Sequence, residues 1–262
     1  MTGEPELHAA LRRFAGARSP LVVCDYDGVL AHIVDDPDQA FPERESVEAL
    51  EALAALADTH VAVVSGRSLR DLLALCPFPP PIHLVGSHGS EFDAGFERDL
   101  DQAQIQLLAQ IASELTRLAA SDAGFIVETK PVSVAFHYRK AEPQIGLAAL
   151  AAVRQGPATW PGVRVQEGKQ VIELAVIDTS KGTAVDRLRR QLDADVVLFI
   201  GDDVTDEDAF AILHTDDIGI KVGPGPTMAR YRVNATDDTA PTLALLLELR
   251  RSWLETQPPH DP

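Results

Sequence analysis

Two aspartates, Asp25 and Asp27, stand in the middle of the stretch LVVCDYDGVL, Asp25 directly behind four apolar residues. Like charges this close repel each other, and burial penalises both, so they require a cation, a proton or an exposed strand end. Similar polar groups follow other short apolar runs. Ser65-Gly66-Arg67 follows HVAVV, Gly86 to Glu91 follows PIHLV, and the acidic run GDDVTDED follows VVLFI. Ser180-Lys181-Gly182 opens a further helical pattern. Carboxylates at two of these strand ends would converge on a hard cation, and all-oxygen ligation suits Mg²⁺. A carboxylate held there can attack phosphorus while a neighbouring acid protonates the leaving oxygen. Ser65 and Lys181 would hold the phosphoryl oxygens.

Such convergence needs strands that end on one side of a sheet. Runs rich in Val, Ile and Leu (LVVCD, HVAVVS, PIHLVGS, DVVLFIGDD, DIGIKVG) alternate with helix-period segments such as PERESVEALEALAALADT. This is the pattern of parallel βαβ units, in which ligands bind beyond the carboxyl ends of the strands. From residue 101 the rhythm changes to helix, two strands, helix, two strands, an antiparallel unit with apolar faces of its own. The expected organisation is therefore α/β, a Rossmann-like parallel-sheet core in residues 1–100 and 177–262 with an α+β (αββαββ) unit inserted at 101–176. An insertion of this kind can act as a lid. The last helix, APTLALLLELRRSWLE, is expected to pack on the core.

Composition narrows the function classes. With 23 Lys+Arg against 40 Asp+Glu, the net charge of −17 argues against nucleic acid and anionic membrane as partners, so an anionic ligand must be gripped locally. The first 20 residues contain no continuous apolar run, and no later one is long enough to span a bilayer. Only Cys24 and Cys76 carry thiols, which suits a reducing, cytoplasmic setting and gives Cys24 a packing role.

DYDGVL, the serine of VVSGR, the lysine of SKG and GDDVTDED together resemble the four signatures of the haloacid dehalogenase superfamily. GSHGSEF (86–92), VETKPVSVAFHYR (127–139), GKQVIEL (168–174) and GDDVTDEDAF (201–210) are similar to stretches of the trehalose-6-phosphate phosphatases. That resemblance implies hydrolysis of trehalose 6-phosphate through an aspartyl-phosphate, with Mg²⁺ as cofactor and the inserted unit as cap. It implies Asp25 as nucleophile and Asp27 as general acid and base. Ser65, Gly66 and Lys181 would bind phosphate. Asp25, the Asp27 carbonyl and Asp202 would be metal ligands, with Asp206 in support. Glu91, Lys169, Glu173, His88 and Arg139 would meet the sugar. A monomer is expected, with association with a trehalose-phosphate synthase left open. The sequence departs from the family pattern at Val29, where Thr is usual, and in LAVIDTSKG, where an Arg-Pro pair is common.

Each feature has a plainer reading. Asp-x-Asp can be a turn or cap, Ser65 a helix N-cap, and Glu207 and Asp208 mere complements to a helix N-terminus. His88 can be a loop anchor, and Lys169 with Glu173 a salt bridge on a sheet face. Lys181 is different, because a cation near a helix start is disfavoured unless it has an anion to hold. Rival functions are a phosphatase for sucrose 6-phosphate or mannosyl phosphoglycerate, and a sugar-phosphate sensor without turnover. A response-regulator receiver fits the length and the insertion poorly.

Overall fold

The computed structural model describes residues 4–92, 100–168 and 170–257. The chain divides into two compact units, Met1–Asp93 with Ser180–Pro262, and Ala94–Thr179. Along the chain, α1 (Glu4–Ala15), β1 (Pro20–Cys24), α2 (Arg44–Ala54), β2 (His60–Val64), α3 (Leu69–Leu75), β3 (His83–Gly86) and β4 (Glu91–Phe92) begin the first unit. The second holds α4 (Gln102–Ala119), β5 (Ile126–Thr129), β6 (Ser133–His137), α5 (Pro143–Gln155), β7 (Arg164–Gly168) and β8 (Val171–Ala175). The chain then completes the first unit with α6 (Lys181–Gln191), β9 (Val196–Gly201), α7 (Glu207–Ala211), β10 (Ile218–Val222), β11 (Tyr231–Val233) and α8 (Thr239–Glu255).

The first unit is built on a seven-stranded sheet in the order β11-β10-β9-β1-β2-β3-β4, parallel except for β4. Parallel strands covered on both faces read as unbroken apolar runs, and β1 (PLVVC) is buried at every position. The order reverses between β1 and β9, which are paired from Pro20↔Val196 to Cys24↔Ile200. A crevice opens where successive connections leave such a point in opposite directions, so the ends of these two strands are the place for a ligand. α8 docks through buried Leu243 and Leu246, and through buried Arg250, whose guanidinium donates to Ala15 O and Thr59 Oγ1 (each 3.0 Å) and Ala17 O (2.5 Å). Such a buried cation is tolerated because each N–H finds an acceptor.

The second unit is a four-stranded antiparallel sheet, β5-β6-β8-β7. Val134, Phe136, Ile172 and Leu174 point to one face and share a core with Ile111 and Leu115 of α4 and with Leu150 and Val153 of α5. α4 begins with a capping box, Asp101 accepting from Gln104 N at 2.8 Å while the Gln104 side chain returns the bond at 2.9 Å. In the two central strands β6 and β8, these apolar residues alternate with residues of the opposite face, as a sheet packed on one side requires. The sequence reading did not anticipate α1, β11 or the antiparallel edge strand β4. β4 is two residues long and carries too little pattern to be seen.

Candidate active site

Asp25 leaves the end of β1 with its amide bonded to Ile200 O (2.9 Å), fixing it to the neighbouring strand. Lys181, the first residue of α6, places its ammonium 2.8 Å from Asp25 Oδ2 and 2.7 Å from Asp206 Oδ1. All three side chains are inside the protein, at 6%, 2% and 0% exposure for Asp25, Lys181 and Asp206. Asp206 turns its other oxygen to the amides of Asp202 (2.8 Å) and Asp203 (2.9 Å), which shapes the loop after β9. Lys221 of β10 donates to the Asp202 carbonyl from the same side.

Ser65 and Lys181 read differently in space from their plain alternatives. Ser65 is not a helix cap: Ser68 caps α3, while Ser65 Oγ accepts from Arg67 N at 3.1 Å. Lys181 is paired with two carboxylates, while the orphan amides of its helix are capped by Ser180 and Thr183. Glu207 and Asp208 do fall in the first turn of α7, as their plainer reading requires. Cys24 is fully buried, and burial pushes its thiol well above the ordinary range, so it packs.

The electrostatics favour one more cation. Burial pushes the Asp25 carboxyl up to about 8, Lys181 opposing the rise and Asp206 adding to it. Burial also pushes Asp202 up to about 6, again with Asp206 adding. For Lys181 burial works against the charge, but Asp25 and Asp206 outweigh it and hold its pKa above the usual lysine value. Three carboxylates therefore share too little positive charge. Asp25, Asp202 and Asp206 each offer an oxygen, all within 4.8 Å of one another, and this all-oxygen donor set fits a hard divalent cation.

Asp27 is held differently. Arg67 grips both its oxygens, Nε to Oδ2 at 2.7 Å and a terminal nitrogen to Oδ1 at 2.6 Å, with the guanidinium 5.5 Å from the Tyr26 ring centre. Gly28 turns the chain at φ +77°, and a Cβ there would lie 2.1 Å from Asp202 Oδ2, so only glycine allows this approach. A cavity of about 650 Å³ is lined by Asp25, Asp27, Gly66, Arg67, His88, Lys181 and Asp202, among others.

The other expected site residues fall into three groups. His88 lines that cavity at a left-handed φ of +52°, its amide donating to Ser65 O (2.9 Å) and its ring lying where a Cβ on Gly66 would meet it at 2.6 Å. Glu91 is turned to the start of α3, accepting from Leu69 N at 3.1 Å and from Ser87 Oγ, and it does not line the cavity. Glu173 and Arg139 belong to the second unit, Arg139 exposed in the turn after β6, and Lys169 lies outside the described residues. Glu173 accepts from Lys130 Nζ (3.1 Å) and Ser133 Oγ (2.5 Å), on the sheet face away from α4 and α5. Lys130 and Lys221 were not singled out from sequence. A lone lysine inside the apolar run IGIKV was the available signal for Lys221.

A largely parallel sheet with its polar groups at the strand ends, interrupted by an αββαββ unit, defines a haloacid dehalogenase-type α/β fold. The chain belongs to the trehalose-phosphatase family, whose model matches residues 23–239. It is 38% identical over 240 residues to a trehalose-phosphate phosphatase of Mycobacterium marinum, covering 87% of this chain and 58% of that one. It is 34% identical over 225 residues to a bifunctional trehalose-6-phosphate synthase/phosphatase of Thermoproteus tenax, covering 84% of this chain and 31% of that one. The chain thus spans between about a third and three fifths of the length of these relatives. Among solved structures, trehalose-6-phosphate phosphatase of Aspergillus fumigatus superposes with a TM-score of 0.65 at 26% identity, covering 92% of this chain and 97% of that one. Among the described residues, no helix is long and apolar enough to cross a membrane.

Proposed function

We propose that this chain is a Mg²⁺-dependent phosphatase that hydrolyses trehalose 6-phosphate to trehalose and phosphate, in trehalose biosynthesis. The observation that carries the proposal is the buried Asp25–Lys181–Asp206 cluster beside Asp202, at the point where strand order reverses, in a chain of the trehalose-phosphatase family. An Asp25 oxygen attacks phosphorus as the bond from phosphorus to the sugar oxygen breaks. That oxygen keeps the electron pair and takes a proton from the Asp27 carboxyl. Asp27, now ionised, removes a proton from water; the water oxygen attacks phosphorus, and the bond from phosphorus to Asp25 breaks. Both carboxyl groups return to their starting state.

Asp25, Asp202 and the Asp27 carbonyl would hold the metal, with Asp206 in support. When bound, Mg²⁺ supplies charge neutralisation and Lewis-acid polarisation of the phosphoryl group. Lys181 and Ser65, with the backbone at Gly66, grip the phosphoryl oxygens, a local attraction needed against the overall charge of −17. Because Arg67 occupies both oxygens of Asp27, proton transfer requires one of them to leave the guanidinium. Glu173, with Lys130 and Ser133 around it, and Arg139 and Lys169 are the groups we assign to the sugar hydroxyls. His88 serves at the phosphate end, and Glu91 acts by fixing the loop that carries His88.

We further assign the enzyme to the cytoplasm, where its two free thiols are stable. Because the Thermoproteus tenax relative carries synthase and phosphatase in its name, a trehalose-phosphate synthase is the partner to test first. The function itself is tested by phosphate release from trehalose 6-phosphate, sucrose 6-phosphate and mannosyl phosphoglycerate, with and without Mg²⁺. Trehalose 6-phosphate should be the best substrate, and chelation should stop turnover. A different preferred sugar would overturn the specificity, and binding without release on all three would make the protein a sensor.

A further inference from the structure

The turn that carries Asp27 is fastened by a residue 208 positions away. Thr236 Oγ1 donates to the Gly28 carbonyl at 2.8 Å in a buried bond, and Thr236 is only 8% exposed. Gly28 has its amide bonded to Ala31 O at 2.8 Å, and its α-carbon lies against the Asp202 carboxylate. The turn's own residues Gly28, Val29 and Leu30 carry no hydroxyl, so the donor must come from elsewhere in the chain.

Thr236 is well placed to be that donor. It opens a 3-10 helical turn, Thr236–Asp238, just ahead of α8. Asp238 accepts from Asn234 N (2.8 Å) and Ala235 N (3.2 Å), and its carbonyl accepts from Thr242 Oγ1 (2.7 Å). The next residue, Asp237, reaches the same loop a second time, its Oδ1 3.0 Å from His32 Nε2, which also meets Glu43 Oε1 at 2.8 Å. The turn is therefore anchored to α8 on one side and touches the 28–32 loop at two points on the other.

We propose that Thr236 is a positioning residue of the active site. Its hydroxyl fixes the Gly28 carbonyl, and through it the direction of the Asp27 carboxyl that exchanges the proton. The inference rests on the phosphatase reading above. Valine keeps the shape of threonine but removes the donor, leaving a buried carbonyl without its partner. The turn can then relax, and a displacement of even about 1 Å at a proton-transferring group costs as much as 10²-fold in rate. Phosphate binding, which depends on Ser65 and Lys181, is not touched.

The test uses the full chain with Mg²⁺ and compares wild type, Thr236→Val and Thr236→Ser. For trehalose 6-phosphate, Thr236→Val should lower kcat by about 10- to 100-fold with KM nearly unchanged, and Thr236→Ser should restore kcat to near wild type. Single-turnover release of p-nitrophenol from p-nitrophenyl phosphate, whose leaving group needs no proton, should be much less affected by Thr236→Val. A merely structural role would depress both substrates equally. Equal losses, failure of Ser to rescue, or wild-type kcat in Thr236→Val would each overturn the proposal. If Thr236→Val does not fold, Thr236→Ala is read against the same criteria. A wild type that hydrolyses no sugar phosphate would overturn the phosphatase reading itself, an outcome distinct from an active wild type with an indifferent Thr236→Val.

Discussion

In the α/β unit the acidic cluster hangs from the ends of parallel strands. In the other unit, Glu173, Lys130 and Ser133 lie across the face of an antiparallel sheet. The first cluster is buried at the floor of its cavity, with three charged side chains at 6% exposure or less and each carboxylate oxygen of Asp206 bonded. The second keeps 11% of Lys130 and 15% of Glu173 open, and one ion pair joins them. Strand ends fix a backbone from two sides and leave the side chain little freedom, which suits groups that must meet a reacting atom at one distance. A sheet face offers an extended row of positions, which suits recognition of several hydroxyl groups at once. The two clusters should therefore fail in different ways when broken.

The largest effect is expected at Asp25. Asp25→Asn removes the attacking oxygen's charge, and turnover should fall by about four orders of magnitude or more, as for loss of a catalytic nucleophile elsewhere. In the metal-free protein its thermal stability should not fall, because burial penalises the charge on this carboxyl and Asp206 still pairs with Lys181. Measured turnover together with the melting temperature checks both halves. Retained turnover would place the attacking group elsewhere and dissolve the contrast between the two clusters.

Next comes Lys181. Lys181→Met leaves Asp25 and Asp206 facing each other without the ammonium that joins them. Breaking a buried pair by removing one partner costs about 3–5 kcal/mol, so this variant should lose both activity and stability. Denaturant unfolding of the metal-free protein measures the second loss. A variant as stable as wild type would mean that the cluster is wetter, and closer in kind to the one on the sheet face.

How far the sequence revealed these two regions follows from the range of the contacts involved. Strand-end groups are legible because they follow a local apolar run, and Asp25, Ser65 and Asp202 each sit one residue beyond a strand. Their convergence required only the rule that parallel strands end on the same side. Lys130, in the turn between β5 and β6, meets Glu173 of β8 from 43 positions away, and nothing local fixes that approach. Thr236 meets Gly28 over 208 positions, with no periodicity to mark it. Glu91 shows how a loop signal can mark a residue without giving its partners. Its glycine- and serine-rich loop draws attention to it, while its bonds to Ser87 Oγ and Leu69 N come from residues that no local pattern places beside it.

The smallest effect is expected on the sheet face, and it is the one that sharpens the comparison most. Glu173→Gln keeps an acceptor for Ser133 but discharges the partner of Lys130, and Lys130→Met removes the cation alone. Because the pair is partly open to water, a double-mutant cycle on stability should give a coupling of about 1 kcal/mol or less. On trehalose 6-phosphate each single variant should raise KM by about tenfold while changing kcat little, since uniform binding of hydroxyl groups is lost and the reacting centre is untouched. On p-nitrophenyl phosphate, which has no sugar hydroxyls, neither variant should have any effect. A loss on both substrates would mean that Glu173 acts on the chemistry, and the division of labour between strand ends and sheet face would then fail.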